Sequence, residues 1–129
     1  GGTCLNVGCI PSKALLDSSE LYETTLHKLA RHGIRVGSVA LDLPAMLSRK
    51  DKVVSDLTTG ISGLFRKYKV TPQLGTGKLL GEGKVEVTSS DGTKKALVAS
   101  KAVLLATGSE STDLPFLKFD GKAVVGSTE

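Results

Sequence analysis

Apolar residues recur at helical spacing in two long stretches of the chain. The first stretch begins at Pro11, a residue that suits a first helical turn because its missing N–H costs nothing there. Its apolar positions continue to about Arg31, and His32-Gly33 is a plausible stop because glycine readily adopts the left-handed cap. The second stretch begins at Asp42-Leu43-Pro44, and its apolar stripe extends to Tyr68. The pattern therefore predicts two long helices.

From Val70 onwards the apolar spacing becomes that of β-strands. It predicts short strands over 70–74, 77–80 and 84–88, a hairpin turn at Ser90-Asp91-Gly92-Thr93, and a returning strand over 96–99. The near-continuous apolar run over 101–106 is typical of a strand buried on both faces. That strand would deliver Thr107-Gly108-Ser109 to its carboxyl end, where α/β sheets bind ligands. Residues 122–125 are also strand-like, and the whole order indicates an α/β fold.

Length and charge narrow the class of protein. The 129 residues could bury one modest core, but the chain begins with Gly and carries no element after 122–125. We therefore expect a piece of a longer chain. The net charge of +4 is scattered, aromatic residues make up 4% and Trp is absent, so a nucleic-acid surface is not expected. No apolar run approaches the ~20 residues of a bilayer span, so no membrane partner is expected either.

The only two cysteines, Cys4 and Cys9, stand among glycines just before the first predicted helix. Residues five apart on a regular helix differ by ~8 Å along its axis, whereas a disulfide needs Cα atoms ~4.4–6.8 Å apart. A bond between them therefore requires a distorted segment, for which Gly8 gives the freedom. A helix N-terminus and the nearby Lys13 favour thiolate over thiol, as an exchange-active dithiol requires.

Two alternatives remain for the cysteines. A static disulfide would close so short a loop that it would remove little chain entropy. A zinc site could use Cys4, Cys9, His27 and His32 in the pattern C-x4-C-x17-H-x4-H. Its gap between pairs exceeds the usual ~12–15 residues, and helical signals fill that gap, so a metal site is not expected. The histidines also suit a helix C-terminus, where positive charge is favourable.

The string from Gly1 to Lys13 resembles the redox-active segment of the flavin-dependent pyridine nucleotide-disulfide oxidoreductases of class I. Within that family, Leu5, Ile10 and Ser12 look most like the dihydrolipoyl dehydrogenases. Mercuric reductases share the serine but favour valine. Two further segments agree: Ala106–Glu110 is similar to a strand end beside the flavin nucleotide, and Gly75–Lys78 to a loop near the adenine.

The resemblance implies a partial FAD/NAD(P)-binding Rossmann-like domain of the α/β class, with two long helices and an inserted antiparallel β-meander. It covers residues 1–129 as one partial FAD-binding domain, without the N-terminal dinucleotide loop, the NAD domain or the dimerisation domain. The implied activity is the reoxidation of protein-bound dihydrolipoamide through a Cys4–Cys9 disulfide and FAD, with electrons passing to NAD+. Another flavin disulfide reductase, such as mercuric reductase, is the neighbouring alternative.

The family resemblance also implies roles for single residues. Cys4 resembles the interchange thiol that reacts with the lipoyl disulfide, and Cys9 the thiol beside the isoalloxazine. Lys13 resembles the cation beside the flavin. The other residues implied in cofactor binding act mainly through backbone, and they are Gly1, Gly2, Thr3, Gly77, Thr107, Gly108 and Ser109.

The implied partners are the lipoyl domains of 2-oxoacid dehydrogenase or glycine-cleavage complexes, and a second copy of the parent chain. The implied location is the cytoplasm in a bacterium, or the mitochondrial matrix or plastid in a eukaryote. The fragment by itself is expected to be inactive.

Overall fold

The computed structural model describes residues 2–129, so Gly1 lies outside the described residues. The chain divides into two compact units. The first comprises the residues up to Gly63 together with Gly108–Glu129, and the second comprises Leu64–Thr107. Among the described residues, Ala14 in the first unit and Val87 in the second are the only buried apolar ones.

The helices of the first unit are α1 (Thr3–Asn6), α2 (Cys9–His27) and a short 3-10 helix (Leu29–His32), followed by the start of α3 (Leu43–Lys67). The predicted stop of the first long helix is confirmed, because Gly33 has a φ of 74° and its N–H donates to the carbonyl of Ala30 at 3.1 Å. The last turn predicted as α-helix is instead the 3-10 helix.

The predicted start of the second long helix is also confirmed. The side chain of Asp42 caps α3, since its Oδ1 accepts the backbone N–H of Ala45 at 2.9 Å. An aspartate at this position satisfies one of the free N–H groups of the first turn. None of the helices in the described part of the chain is long and apolar enough to cross a bilayer.

The second unit contains an antiparallel meander of β1 (Thr76–Gly81), β2 (Lys84–Thr88) and β3 (Lys94–Val98), paired in that order. The predicted hairpin turn joins β2 to β3. Within it, Asp91 Oδ1 accepts the backbone N–H of Thr93 at 2.9 Å, and Gly92 has a φ of 83°. Hydrogen bonding from the Thr93 N–H lowers the pKa of the Asp91 carboxyl from its ordinary value.

Three predicted strands are wrong, namely 70–74, 101–106 and 122–125. A strand forms only where a second strand satisfies its backbone groups, and the strands paired with one another in residues 2–129 are β1, β2 and β3. The apolar side chains of the first two segments stay exposed, with Leu74 at 86% and Leu104 at 89%.

The third segment is a turn, because the Asp120 carboxylate holds its backbone. Asp120 Oδ1 accepts the N–H groups of Lys122, Ala123 and Val124 at 2.8–2.9 Å. These N–H groups are then not free for a strand ladder. The N–H of Val124, followed by that of Lys122, lowers the pKa of the Asp120 carboxyl.

Candidate redox-active disulfide site

A disulfide joins Cys4 in α1 to Cys9, the first residue of α2, with Cα atoms 4.5 Å apart. The helical path breaks between the two cysteines. The N–H of Val7 closes the last turn of α1 on the carbonyl of Thr3 at 2.9 Å, and Gly8 then precedes α2. The predicted distortion between the cysteines is therefore confirmed, and it shortens a separation that a regular helix would make too long.

Gly8 permits this close approach because it has no side chain. A Cβ placed on it would lie 3.0 Å from the carbonyl oxygen of Thr3 and 3.2 Å from the Cα of Cys4. Both neighbours are backbone atoms, so they cannot rotate out of the way as a side chain could. The need for glycine at this position is thus steric.

Two side chains hold the backbone on either side of the disulfide. Asn6 Nδ2 donates to the carbonyl of Gly2 at 2.8 Å, and Ser12 Oγ donates to the carbonyl of Gly8 at 2.7 Å. The sequence interpretation assigned no role to Asn6. The available signal was its residue type, since Asn and Ser side chains bond readily to nearby backbone.

Lys13 lies four residues after Cys9 on α2 and is exposed. Residues four apart share a face of a helix. Cys9 also lies at the N-terminus of a 19-residue helix, whose partial positive charge favours a thiolate there once the disulfide is reduced. Cys4 lies in the four-residue α1 and has no such helix behind it. The two cysteines thus occupy unequal positions relative to the N-terminus of α2.

Four predicted cofactor-binding residues meet in the first unit. Thr3 Oγ1 donates to the carbonyl of Ser109 at 3.5 Å, which brings the N-terminal segment beside 108–109. A groove of about 280 Å³ lies there, lined by Thr3, Ser109 and residues that include Val7 and Glu110. Gly2 and Gly108 have φ values of 92° and 84°, and a Cβ on either would meet no atom within 4 Å.

The remaining predicted contacts, Gly77 and Thr107, belong to the second unit. Gly77 lies in β1, and a Cβ there would meet only Val85 Cγ1, at 3.9 Å. Its neighbour Gly75 is far more constrained. Gly75 has a φ of 148°, and a Cβ would overlap the carbonyl oxygen of Thr88 and approach the Cα of Ser89 to 3.2 Å. The Gly-x-Gly spacing could have indicated that Gly75 is constrained, but the sequence prediction included only Gly77 among the cofactor-binding residues.

The zinc alternative has no geometric support. The two cysteines are bonded to each other, so neither offers a thiolate to a metal. His27 Nε2 lies 3.6 Å from Glu23 Oε2 on the same helix. Within residues 2–129, no group of three His, Cys, Asp or Glu side chains converges as a metal site would need.

Comparison with known proteins gives a consistent result. A family profile described as pyridine nucleotide-disulphide oxidoreductase matches residues 1–127. Over 99% of its length the chain is 52% identical to the mitochondrial dihydrolipoyl dehydrogenase of Dictyostelium discoideum, of which it covers 26%. It is 49% identical over 96% of its length to the dihydrolipoyl dehydrogenase of Cupriavidus necator, again covering 26% of that protein.

A third relative carries a different name. The chain is 50% identical over 99% of its length to a leghemoglobin reductase of Glycine max, of which it covers 24%. The chain thus spans about a quarter of the length of the curated relatives that it matches. The family profile nevertheless extends over nearly every residue, and the disulfide lies inside it. The chain belongs to the pyridine nucleotide-disulphide oxidoreductase family.

Proposed function

We propose that Cys4 and Cys9 are the redox-active pair of a dihydrolipoyl dehydrogenase, which reoxidises protein-bound dihydrolipoamide. The observation that carries this proposal is the disulfide itself, formed across a helix break at Gly8, where a Cβ would be crowded by backbone. Relatives named dihydrolipoyl dehydrogenase, at about half identity along almost the whole chain, support this substrate over the mercuric alternative.

The reaction at the cysteines is a thiol–disulfide exchange. One thiolate of dihydrolipoamide attacks Cys4 Sγ, forms a mixed disulfide and releases Cys9 as a thiolate. The second substrate thiolate then attacks the substrate sulfur of the mixed disulfide. This attack closes the lipoyl ring and releases the Cys4 thiolate. Two electrons move from the substrate to the cysteine pair, and the two substrate thiols lose their protons.

The unequal surroundings of the two sulfurs support this order of attack. The departing sulfur should be the one whose thiolate is better stabilised, because a lower thiol pKa makes a better leaving group. Cys9 is the first residue of the 19-residue α2 and Lys13 follows one turn later, whereas Cys4 lies in the four-residue α1. We therefore assign interchange with substrate to Cys4 and the flavin-facing role to Cys9.

The residues around the disulfide fit a dinucleotide held through backbone. Gly2 and Gly108 have open space where a side chain would stand, and the Thr3–Ser109 hydrogen bond keeps their segments together. The residues that would hold FAD in the first unit are Gly2, Thr3, Gly108 and Ser109, with Lys13 near the flavin ring. The proposed set is completed by Gly1, Gly77 and Thr107. Bound there, FAD would supply the two-electron chemistry that links the dithiol to NAD+. No residue of this chain is assigned to NAD.

The proposed partners are lipoyl domains of 2-oxoacid dehydrogenase or glycine-cleavage complexes, and a second copy of the full-length protein. The proposed location is mitochondrial or plastid in a eukaryote and cytoplasmic in a bacterium. Relatives from a mitochondrion and from a bacterium support both arms of this proposal.

A Cys9→Ser variant of the full-length protein tests the proposed function. We expect the rate of NAD+ reduction by dihydrolipoamide to fall by about a thousandfold or more, as losses of essential groups do. Bound FAD, measured by absorbance after gel filtration, should be retained, which separates lost chemistry from lost folding.

The matched control is Ser19→Ala, which removes an exposed hydroxyl from the same helix. It should turn over at the wild-type rate. Retained turnover in Cys9→Ser would refute the redox role of the disulfide. Wild-type protein that reduces Hg²⁺ with NADPH, and leaves dihydrolipoamide untouched, would move the chain to the mercuric alternative.

A further inference from the structure

One arginine of α3, Arg49, makes three hydrogen bonds to helix α2. Its Nη1 donates to the carbonyl of Ala14 at 2.9 Å and to Ser18 Oγ at 3.2 Å, and its Nη2 donates to Asp17 Oδ2 at 2.7 Å. Within residues 2–129, no other hydrogen bond joins α2 to α3.

The three acceptors lie on one face of α2. Ala14, Asp17 and Ser18 stand at positions i, i+3 and i+4, which are neighbours on a helix surface. Ala14 is also the one buried apolar residue described in this unit, so the arginine contacts α2 at its most buried residue. The Ser18 hydroxyl donates to the same Ala14 carbonyl at 3.2 Å, which joins the contacts into one network.

The chemistry of the guanidinium suits this arrangement. Its planar fork presents several N–H donors in fixed directions, so one side chain can bind a carbonyl, a hydroxyl and a carboxylate together. A lysine ammonium has the same charge but no fork. Arg49 therefore binds three groups of α2 at once, and does more than neutralise Asp17.

Helix α2 also carries the reactive end of the site. Cys9 is its first residue, Lys13 follows one turn later, and Ala14 comes next. Any shift of α2 relative to α3 would therefore move Cys9 and Lys13 as well. Reaction rates are sensitive to such shifts, since ~1 Å of misplacement can cost ~100-fold.

We propose that Arg49 is a positioning residue for the Cys4–Cys9 pair, acting through its three hydrogen bonds to α2. The proposal rests on the redox function proposed above. Arg49 touches neither cysteine in the structure, so it contributes alignment of the reacting sulfurs and takes no part in electron transfer. No local sequence pattern marks this residue, because its acceptors lie more than thirty positions away.

The test is an Arg49→Met variant of the full-length protein, compared with Lys52→Met. Both changes replace a cation of α3 by an unbranched helix former. Lys52 is a matched control because its ion pair, with Asp56 at 2.8 Å, stays within α3. For dihydrolipoamide oxidation we expect Arg49→Met to lower kcat about tenfold with KM unchanged. This loss is smaller than the ~100-fold loss of rate that ~1 Å of misplacement of reacting groups can cause. Lys52→Met should leave both constants unchanged.

A conservative variant, Arg49→Lys, keeps the charge but replaces the planar fork by a single ammonium nitrogen. It should recover part of the lost kcat, which a purely electrostatic role would recover in full. The proposal would be overturned by a kcat within about twofold of wild type in Arg49→Met, or by an equal loss of kcat in Lys52→Met. The expected tenfold loss corresponds to ~1.4 kcal/mol of transition-state stabilisation.

Amide hydrogen exchange provides a readout that does not depend on activity. In Arg49→Met, the amides of Cys9–Asp17 should exchange several-fold faster than in wild type and in Lys52→Met. Unchanged exchange would contradict the positioning role. If wild-type protein shows no turnover of dihydrolipoamide, the proposed function fails, and the exchange rates still decide whether Arg49 fixes α2.

Discussion

Gly8 shows how one missing side chain makes the disulfide possible. The carbonyl of Thr3 and the Cα of Cys4 occupy the space that a Cβ would need, at 3.0 and 3.2 Å. The sequence correctly indicated that a glycine would relax this segment. It could not indicate the steric reason, because that depends on how α1 folds back against the start of α2.

A Gly8→Ala variant should strain this turn. We expect its free energy of unfolding to fall by about 1–3 kcal/mol, the usual cost of forcing an extra methyl group into a filled space. The disulfide should also become easier to reduce, because its two cysteines would be held apart. Denaturant unfolding and equilibration with glutathione buffers measure the two effects.

Gly60→Ala is the matched control for Gly8→Ala. A Cβ on Gly60 meets nothing within 4 Å, and Gly60 lies inside α3. Alanine should therefore raise stability there by up to about 1 kcal/mol, from helix propensity alone. Equal behaviour of the two variants would show that the contacts around Gly8 carry no cost.

Among the secondary-structure elements, those with local signals were predicted well. The cap at Asp42, the stop at Gly33 and the turn at Asp91-Gly92 each depend on residues within a few positions of one another. The strands 70–74 and 101–106 were wrong because an apolar run becomes a strand only when a partner strand lies beside it. The described part of the chain supplies no such partner to them.

The meander contains the clearest test of a single element. Gly75→Ala should destabilise it by about 1–3 kcal/mol, since the new Cβ would overlap the carbonyl of Thr88 at a positive φ. Gly77→Ala, two residues further on, should change stability by no more than about 0.5 kcal/mol, because its Cβ meets only Val85 at 3.9 Å. Thermal unfolding of both variants measures the difference, and a larger loss at Gly77 would contradict this description of β1.

Family membership and the local geometry of the disulfide agree over the chain as a whole. The profile match extends from residue 1 to 127, although the chain covers only about a quarter of its relatives. The structure joins the two cysteines and brings Thr3 beside Ser109, while the cofactor-binding roles of the predicted residues stay predictions. The sequence interpretation did not single out Arg49, Asn6 or Gly75. Asn6 and Gly75 had local signals, whereas the contacts of Arg49 lie more than thirty positions away and no short motif encodes them.

The redox role of the disulfide can be measured directly by counting thiols. The oxidised full-length protein is alkylated with iodoacetamide before and after anaerobic addition of one equivalent of dihydrolipoamide, and the modified peptides are identified by mass spectrometry. We expect Cys4 and Cys9 to be unmodified before the addition and both to be modified after it. Two cysteines that stay unmodified after dihydrolipoamide, in protein that still oxidises it, would contradict the proposed role of the pair.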